Sequence, residues 1–226
     1  MGTLLRLEDP APRLRAALVS RLGVDVGAEA AAAAMRAEIG FYRAHMHRGT
    51  DAHALAGLRE DSAEAMRPVL PPTVAGAPRA ELTAALLDAL AFSAYPDAAP
   101  ALRALRAAGH ALVVVSNWDC SLGERLEEAG LAQLVDAAVA SAELGAAKPE
   151  RAIFEHGLAL AGVTAERAWH VGDGVADDVE GARAAGIRAV LLARGDGRRG
   201  DAPPPAGVPV LQSLDELPAL LTRADP

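Results

Sequence analysis

From Ser93 onward, short β-branched runs alternate with helical stretches, and this alternation restricts the fold more than any other feature of the chain. ALVVVSN at 111–117 is an apolar run of the kind buried in a parallel sheet. A helix at 121–129, a weaker strand at 135–140 and a helix at 150–161 follow. Then come a strand at 168–172, a helix at 177–185 and a strand at 187–193. Beyond a Pro-Pro-Pro loop at 203–205, a last strand covers 208–211, and Ser213 with Glu216 forms a capping box for a closing helix. Alternating β and α units imply right-handed crossovers, hence an α/β fold with a doubly wound parallel sheet.

The stretch before this has a different texture. Residues 11–92 read as helices at 11–22, 28–48, 51–69 and 78–92, broken by Gly, Pro and Asp signals. Met35, Ile39, Tyr42 and Met46 recur at helical spacing as one apolar stripe. The expected organisation is a short remnant of the core at 1–10, an all-helical bundle at 11–92 inserted near the amino end, and an α/β core at 93–226.

Several function classes are excluded. A net charge of −8 without an offsetting basic run argues against nucleic acid. The densest basic stretch, RGDGRR at 194–199, is glycine-rich and reads as a surface loop. No apolar run reaches the roughly 18 residues of a membrane span, and the first residues lack a secretory signal pattern. The single cysteine, Cys120, forms no internal disulfide, so a cytoplasmic location is expected.

In doubly wound sheets ligands bind beyond the carboxyl ends of the strands. Strand 111–117 ends in Ser116-Asn117, and strand 168–172 leads into Asp173, with Asp177 and Asp178 just beyond. Lys148-Pro149 precedes helix 150–161, and Gly2-Thr3-Leu4 forms a turn at the start. Of the 22 basic side chains only Lys148 is lysine, and Asn117 is the sole asparagine. Lysine presents a compact point charge where arginine presents a planar fork. Carboxylates, hydroxyls, an amide and an ammonium suit a hard divalent cation and a phosphoryl group. His170 alternates with Trp169 and Val171 and is expected in the core. Asp177 or Asp178 is expected to cap the following helix.

With these residues in view, the chain resembles the haloacid dehalogenase-like superfamily. VVVSN matches its second motif, Lys148 in GAAKPERAIF its third, and HVGDGVADDVEGARAAGI its fourth, giving Asp173 and Asp178. The helical segment lies where that family carries a cap. The resemblance implies a magnesium-dependent phosphatase acting on a small phosphorylated substrate through an aspartyl-phosphate. Asp173 and Asp178 would be metal ligands, and Ser116, Asn117, Lys148 and Thr3 would be catalytic groups.

The first motif departs from the pattern. Gly2-Thr3-Leu4 matches its tail, but Met1 stands at the second acidic position, and the nucleophilic Asp would lie two residues before it. The expectation is an upstream apolar strand ending in that Asp, with the 226-residue chain inactive without it. Two alternatives follow: a metal-independent dehalogenase, and a non-catalytic protein that keeps the fold.

Overall fold

The structure is a computed structural model that describes residues 2–195 and 205–224. Met1 and most of the Pro-Pro-Pro and Arg-Gly-rich loop therefore lie outside the described residues. The chain forms two compact units, one of residues 7–92 and one of residues 1–6 with 93–226. The division falls within two short strands missed in the sequence, β1 (Leu5–Leu7) and β2 (Phe92–Ala94), which pair as a two-stranded sheet. Three residues are too few to register a period-two pattern against the helical signals around them.

The helical unit contains α1 (Pro10–Leu22), α2 (Gly27–His45), α3 (Ala52–Met66), the single turn α4 (Pro72–Ala75) and α5 (Arg79–Ala89). Helix α1 begins where the Asp9 carboxylate accepts the Ala11 N–H, with Pro10 at its first position, and stops at Gly23 in the left-handed region. Asp51 caps α3 by accepting from His53 and Ala54. Helix α1 packs on α5 and α2, and α3 packs on α2 and α5. Leu14, Leu18, Met66, Leu82 and Leu86 are essentially inaccessible in the resulting core.

The second unit is the expected α/β layer structure. Its elements are α6 (Ala98–Ala107), β3 (Val113–Ser116), α7 (Leu122–Glu128), β4 (Ala137–Ala140), α8 (Ser141–Leu144) and α9 (Arg151–Ala161). They continue through β5 (Trp169–Gly172), a π-wound segment Val175–Glu180, α10 (Gly181–Ala184), β6 (Arg188–Leu192), β7 (Val210–Leu211) and α11 (Leu217–Ala224). The capping box at Ser213 and Glu216 is present, leading through a 3₁₀ turn into α11. The expected helix at 177–185 starts with a π turn instead, a winding that hydropathy periodicity does not register.

All pairings within this layer are parallel, but the sheet is in two pieces. Among the described residues β3 pairs only with β4, in register Val113 to Ala137, while β5, β6 and β7 form a separate three-stranded piece. Helix α9 lies on β3, so closely that a Cβ on Gly157 would come 2.8 Å from Val115 Cγ2. Helices α6 and α11 pack together. Between the two pieces lies a cavity of about 800 Å³, lined by β3 and β5 and by residues of α6, α9 and α11.

Candidate active site

The sequence-derived residues of the α/β unit gather at the carboxyl ends of β3 and β5. Asp178 sits in the π-wound segment and folds back onto β5. Its Oδ1 accepts from Lys148 Nζ at 2.6 Å and lies 2.9 Å from His170 Nε2, while Oδ2 accepts the Gly174 N–H at 2.8 Å. Gly172 makes this possible: a Cβ there would stand 2.1 Å from Asp178 Cγ, so the carboxyl occupies the place a side chain would take. His170 and Gly172 share one face of β5 by the period of two, which brings the imidazole to the same carboxylate.

The His170 expectation is corrected accordingly. His170 does touch the core, edge-on to Phe154, but its ring nitrogen belongs to the polar cluster. A histidine two residues before a strand-ending glycine was the signal available in the sequence.

Asp178 is 6% exposed. Burial works to raise its carboxyl, but the His170 hydrogen bond and the charges of Lys148 and His170 outweigh it and hold the group below the usual carboxylate range. Asp178 is therefore ionised and acceptor-only, which assigns the proton to His170 Nε2. Asp177 goes the other way, pushed up by partial burial and then by the negative charges of Asp178 and Asp173.

Asn117 is engaged at both ends of its amide: Nδ2 donates to the Lys148 carbonyl at 2.9 Å, and Oδ1 accepts the Lys148 N–H at 2.7 Å. It holds the backbone from which the Lys148 ammonium reaches inward. Ser116, at the end of β3, lines the cavity.

Thr3 Oγ1 donates to Asp173 Oδ1 at 2.8 Å. Gly2 has φ +113°, and a Cβ on it would meet the Asp173 carboxylate at 2.1 Å, so only glycine fits. Arg194 fastens this turn. Its Nε donates to the Gly2 carbonyl at 3.0 Å, one terminal nitrogen to the Thr3 carbonyl at 2.7 Å, and the other to Asp97 at 2.7 Å. Its guanidinium also lies 3.9 Å from the centre of the Tyr95 ring. The surface-loop reading of 194–199 is thus wrong for Arg194, whose role depends on partners almost a hundred residues or more away.

The divalent cation implied by the resemblance meets a shortfall. Among the described residues no group of three or more His, Cys, Asp or Glu side chains converges to hold a metal. Both oxygens of Asp178 are already engaged, and one oxygen of Asp173 accepts from Thr3. The described residues do not by themselves fit a bound Mg²⁺.

Residues 2–186 match the haloacid dehalogenase-like hydrolase family. The chain belongs to that family. A phosphoserine phosphatase of Thermus thermophilus is 41% identical over 102 residues, which is 45% of this chain and 41% of that protein. A haloacid dehalogenase-like phosphatase from Thermococcus onnurineus superposes with a TM-score of 0.63 at 25% identity, over 98% of this chain and 94% of its own. A dehalogenase solved with an intermediate complex gives a TM-score of 0.65 at 26% identity, over 97% and 93%. The matched region spans 41% to 62% of the length of the first curated relatives. The chain therefore has the α/β core of the haloacid dehalogenase-like family, and it has relatives among phosphatases.

Proposed function

We propose that the chain supplies the phosphate-binding and charge-balancing half of a phosphatase acting on small phosphate esters. The observation that carries this is the buried Lys148–Asp178–His170 cluster at the carboxyl ends of β3 and β5, with Ser116 lining the same cavity. An ammonium held by a depressed carboxylate is a fixed positive group for phosphoryl oxygens, and a serine hydroxyl adds a donor. Thr3 fixes Asp173, and Asn117 fixes the Lys148 backbone, so both act by positioning.

In this reaction a carboxylate oxygen attacks phosphorus, the ester P–O bond breaks, and the leaving alkoxide takes its proton from water. Water then attacks the aspartyl-phosphate, releasing phosphate and restoring the carboxylate. Both oxygens of Asp178 and one of Asp173 are engaged; the attacking carboxylate is proposed to be the Asp that the first-motif resemblance implies two residues before Met1. Magnesium would need ligands beyond Asp173 and Asp178. The helical unit is proposed as the element that selects the leaving group.

The test is hydrolysis of an aryl phosphate and release of chloride from 2-chloropropionate, by the chain as given and by a form extended with an apolar run and that Asp. Phosphate release only from the extended form, lost in Lys148→Arg, is the expected result. Chloride release without phosphatase activity would replace the reading with a dehalogenase. Inactivity of both forms would favour the second reading, a non-catalytic binding protein, which is supported by the engagement of Asp173 and Asp178.

A further inference from the structure

Strands β3 and β4 run parallel and leave the sheet together, with Ser116 paired to Ala140 in the last rung of their ladder. The ladder stops there because Ser141 turns into α8, while the chain beyond β3 continues through Asn117 and Trp118. Trp118 is buried, so its N–H and C=O need partners within the protein. The Ser141 side chain serves both. Its Oγ accepts the Trp118 N–H at 3.1 Å and donates to the Trp118 carbonyl at 3.3 Å. A hydroxyl is one donor and two acceptors, so one side chain stands in for a rung of backbone. The Ala142 N–H adds a bond to the same carbonyl, at 3.1 Å.

The β3 side of this contact is itself tied down. The Trp118 indole N–H donates to Ser121 Oγ at 3.4 Å, and Ser121 donates from its N–H and its hydroxyl to Asp119 Oδ1 at 2.8 and 2.6 Å. Asp119, Ser121 and Ser141 are all buried. These polar side chains join the exit of β3 to the start of α8, and none of them is part of the Lys148–Asp178–His170 cluster.

Lys148 lies at the far end of the segment that Ser141 opens. The Ser141 carbonyl accepts the Gly145 N–H at 2.9 Å, which closes α8, and Gly145 takes the left-handed conformation, φ +75°. Three residues later Asn117 holds the Lys148 backbone at both its N–H and its carbonyl. Neighbouring residues, Asn117 and Trp118, therefore grip the two ends of segment 141–148. A loop held at one point can pivot about it; held at two, it fixes the direction in which the flexible lysine stem leaves the backbone. That direction brings the ammonium to 2.6 Å from Asp178 Oδ1, and Ser116, just before the grip, lines the same cavity as Lys148.

We propose that Ser141 is a positioning residue: through its hydroxyl it sets where the Lys148 ammonium stands relative to the Ser116 hydroxyl. Its effect on phosphate rests on the function proposed above, in which those two groups receive phosphoryl oxygens; its effect on the lysine does not.

Lys148 is the sole lysine, so the chain grown with isotope-labelled lysine carries one labelled ε-methylene. In nuclear magnetic resonance the two protons of that methylene resonate apart when the stem is held in one rotamer and merge when it rotates freely. The 226-residue chain is compared with Ser141→Ala, which removes the hydroxyl, and Ser141→Thr, which keeps it, before and after addition of inorganic phosphate.

The parent is expected to show separated signals that move with phosphate. In Ser141→Ala the separation should fall by half or more at unchanged circular dichroism, and phosphate binding should weaken several-fold. Ser141→Thr should recover both. If Ser141→Ala does not fold, Ser141→Cys, close in size with a weaker donor and acceptor, takes its place and should show a smaller loss of the same sign. Merged signals already in the parent would overturn the proposal. So would a lower Tm in Ser141→Ala with the separation unchanged, which would make the serine a stabilising contact only. An equal loss in Ser141→Ala and a folded Ser141→Thr would overturn the role of the hydroxyl. A separated parent signal that phosphate leaves in place would overturn the phosphate reading alone, with the methylene comparison still deciding the role of Ser141.

Discussion

β3 and β6 are both short apolar strands in parallel pairings, yet they end in different environments. β6 has β5 on one side and β7 on the other, and Val190 and Leu192 are 0% and 1% exposed. Among the described residues β3 has a partner on one side only, and its three consecutive valines stay half-buried beside the cavity. The difference does not come from side-chain hydrophobicity, since VVV is as apolar as AVLL. Burial of a strand in an α/β sheet is therefore a property of its neighbours as much as of its own side chains.

Four measurements would break or sharpen this comparison. The largest effect is expected at the mouth of the open side. If the mouth is dry despite the cavity below it, Lys148→Ala leaves Asp178 buried with one cation fewer and destabilises by about 4 kcal/mol in chemical denaturation. If water reaches the pair, the loss falls to the surface range below about 1 kcal/mol. The sign with pH follows from the depressed carboxyl of Asp178. The stabilisation is present above the ordinary carboxylate range and disappears as pH falls through the lower folded value, so the variants converge only in strong acid.

On the closed side, Leu192→Ala in β6 should cost about 3 kcal/mol, because its neighbours are packed on every side. A value below about 1 kcal/mol would mean that β6 is no better packed than β3.

The helical unit tests whether a closed core tolerates an ionisable group. Glu38 is 3% exposed, and burial pushes its carboxyl up to about 7. Its folded pKa lies above the unfolded one, so the penalty is absent in acid, grows as pH rises from about 4.5, and levels off above about 7. Glu38→Gln should therefore gain about 3 kcal/mol at pH 8 and little at pH 4, read from urea midpoints at both values. An unchanged difference across that range would show that Glu38 finds a hydrated or ion-paired environment.

The smallest effect is expected in β3. Val114→Ala should cost less than about 1 kcal/mol in the chain as given, because the side chain borders space instead of a packed neighbour. A loss near that of Leu192→Ala would show that β3 is packed as tightly as β6.

The order of strands and helices in the α/β unit was legible because each element carries its own period and its own stop signals. So were the residues at strand ends, since Asp173, Lys148 and Ser116 follow directly from where strands and loops meet. Contacts that depend on an absent side chain were not legible. Asp178 reaches His170 only because Gly172 leaves room, and hydropathy scores the glycine as neutral and the histidine as one member of an apolar strand. Arg194 was missed for a different reason: its neighbours in sequence are glycine-rich and charged, while its partners Gly2, Thr3 and Asp97 are far away along the chain. The π turn at Val175–Glu180 follows from the Gly174 carbonyl accepting from both Asp178 and Val179, a backbone choice that no side-chain pattern encodes.

Arg194 has a further consequence for how the protein responds to ionic strength. The exposed pair Arg106–Asp136 has side chains 40% and 42% accessible, and dissolved ions reach both partners. Arg194 and Asp97 are 10% and 9% accessible, and the other two anchors of that guanidinium are uncharged carbonyls. At 1 M salt the screening distance shrinks to about 3 Å, which weakens ion pairs in water far more than those enclosed by protein. Concentrated salt should therefore loosen the periphery of the α/β unit while the Gly2–Thr3 turn keeps its place, and the protein's most salt-tolerant geometry would lie beside Asp173.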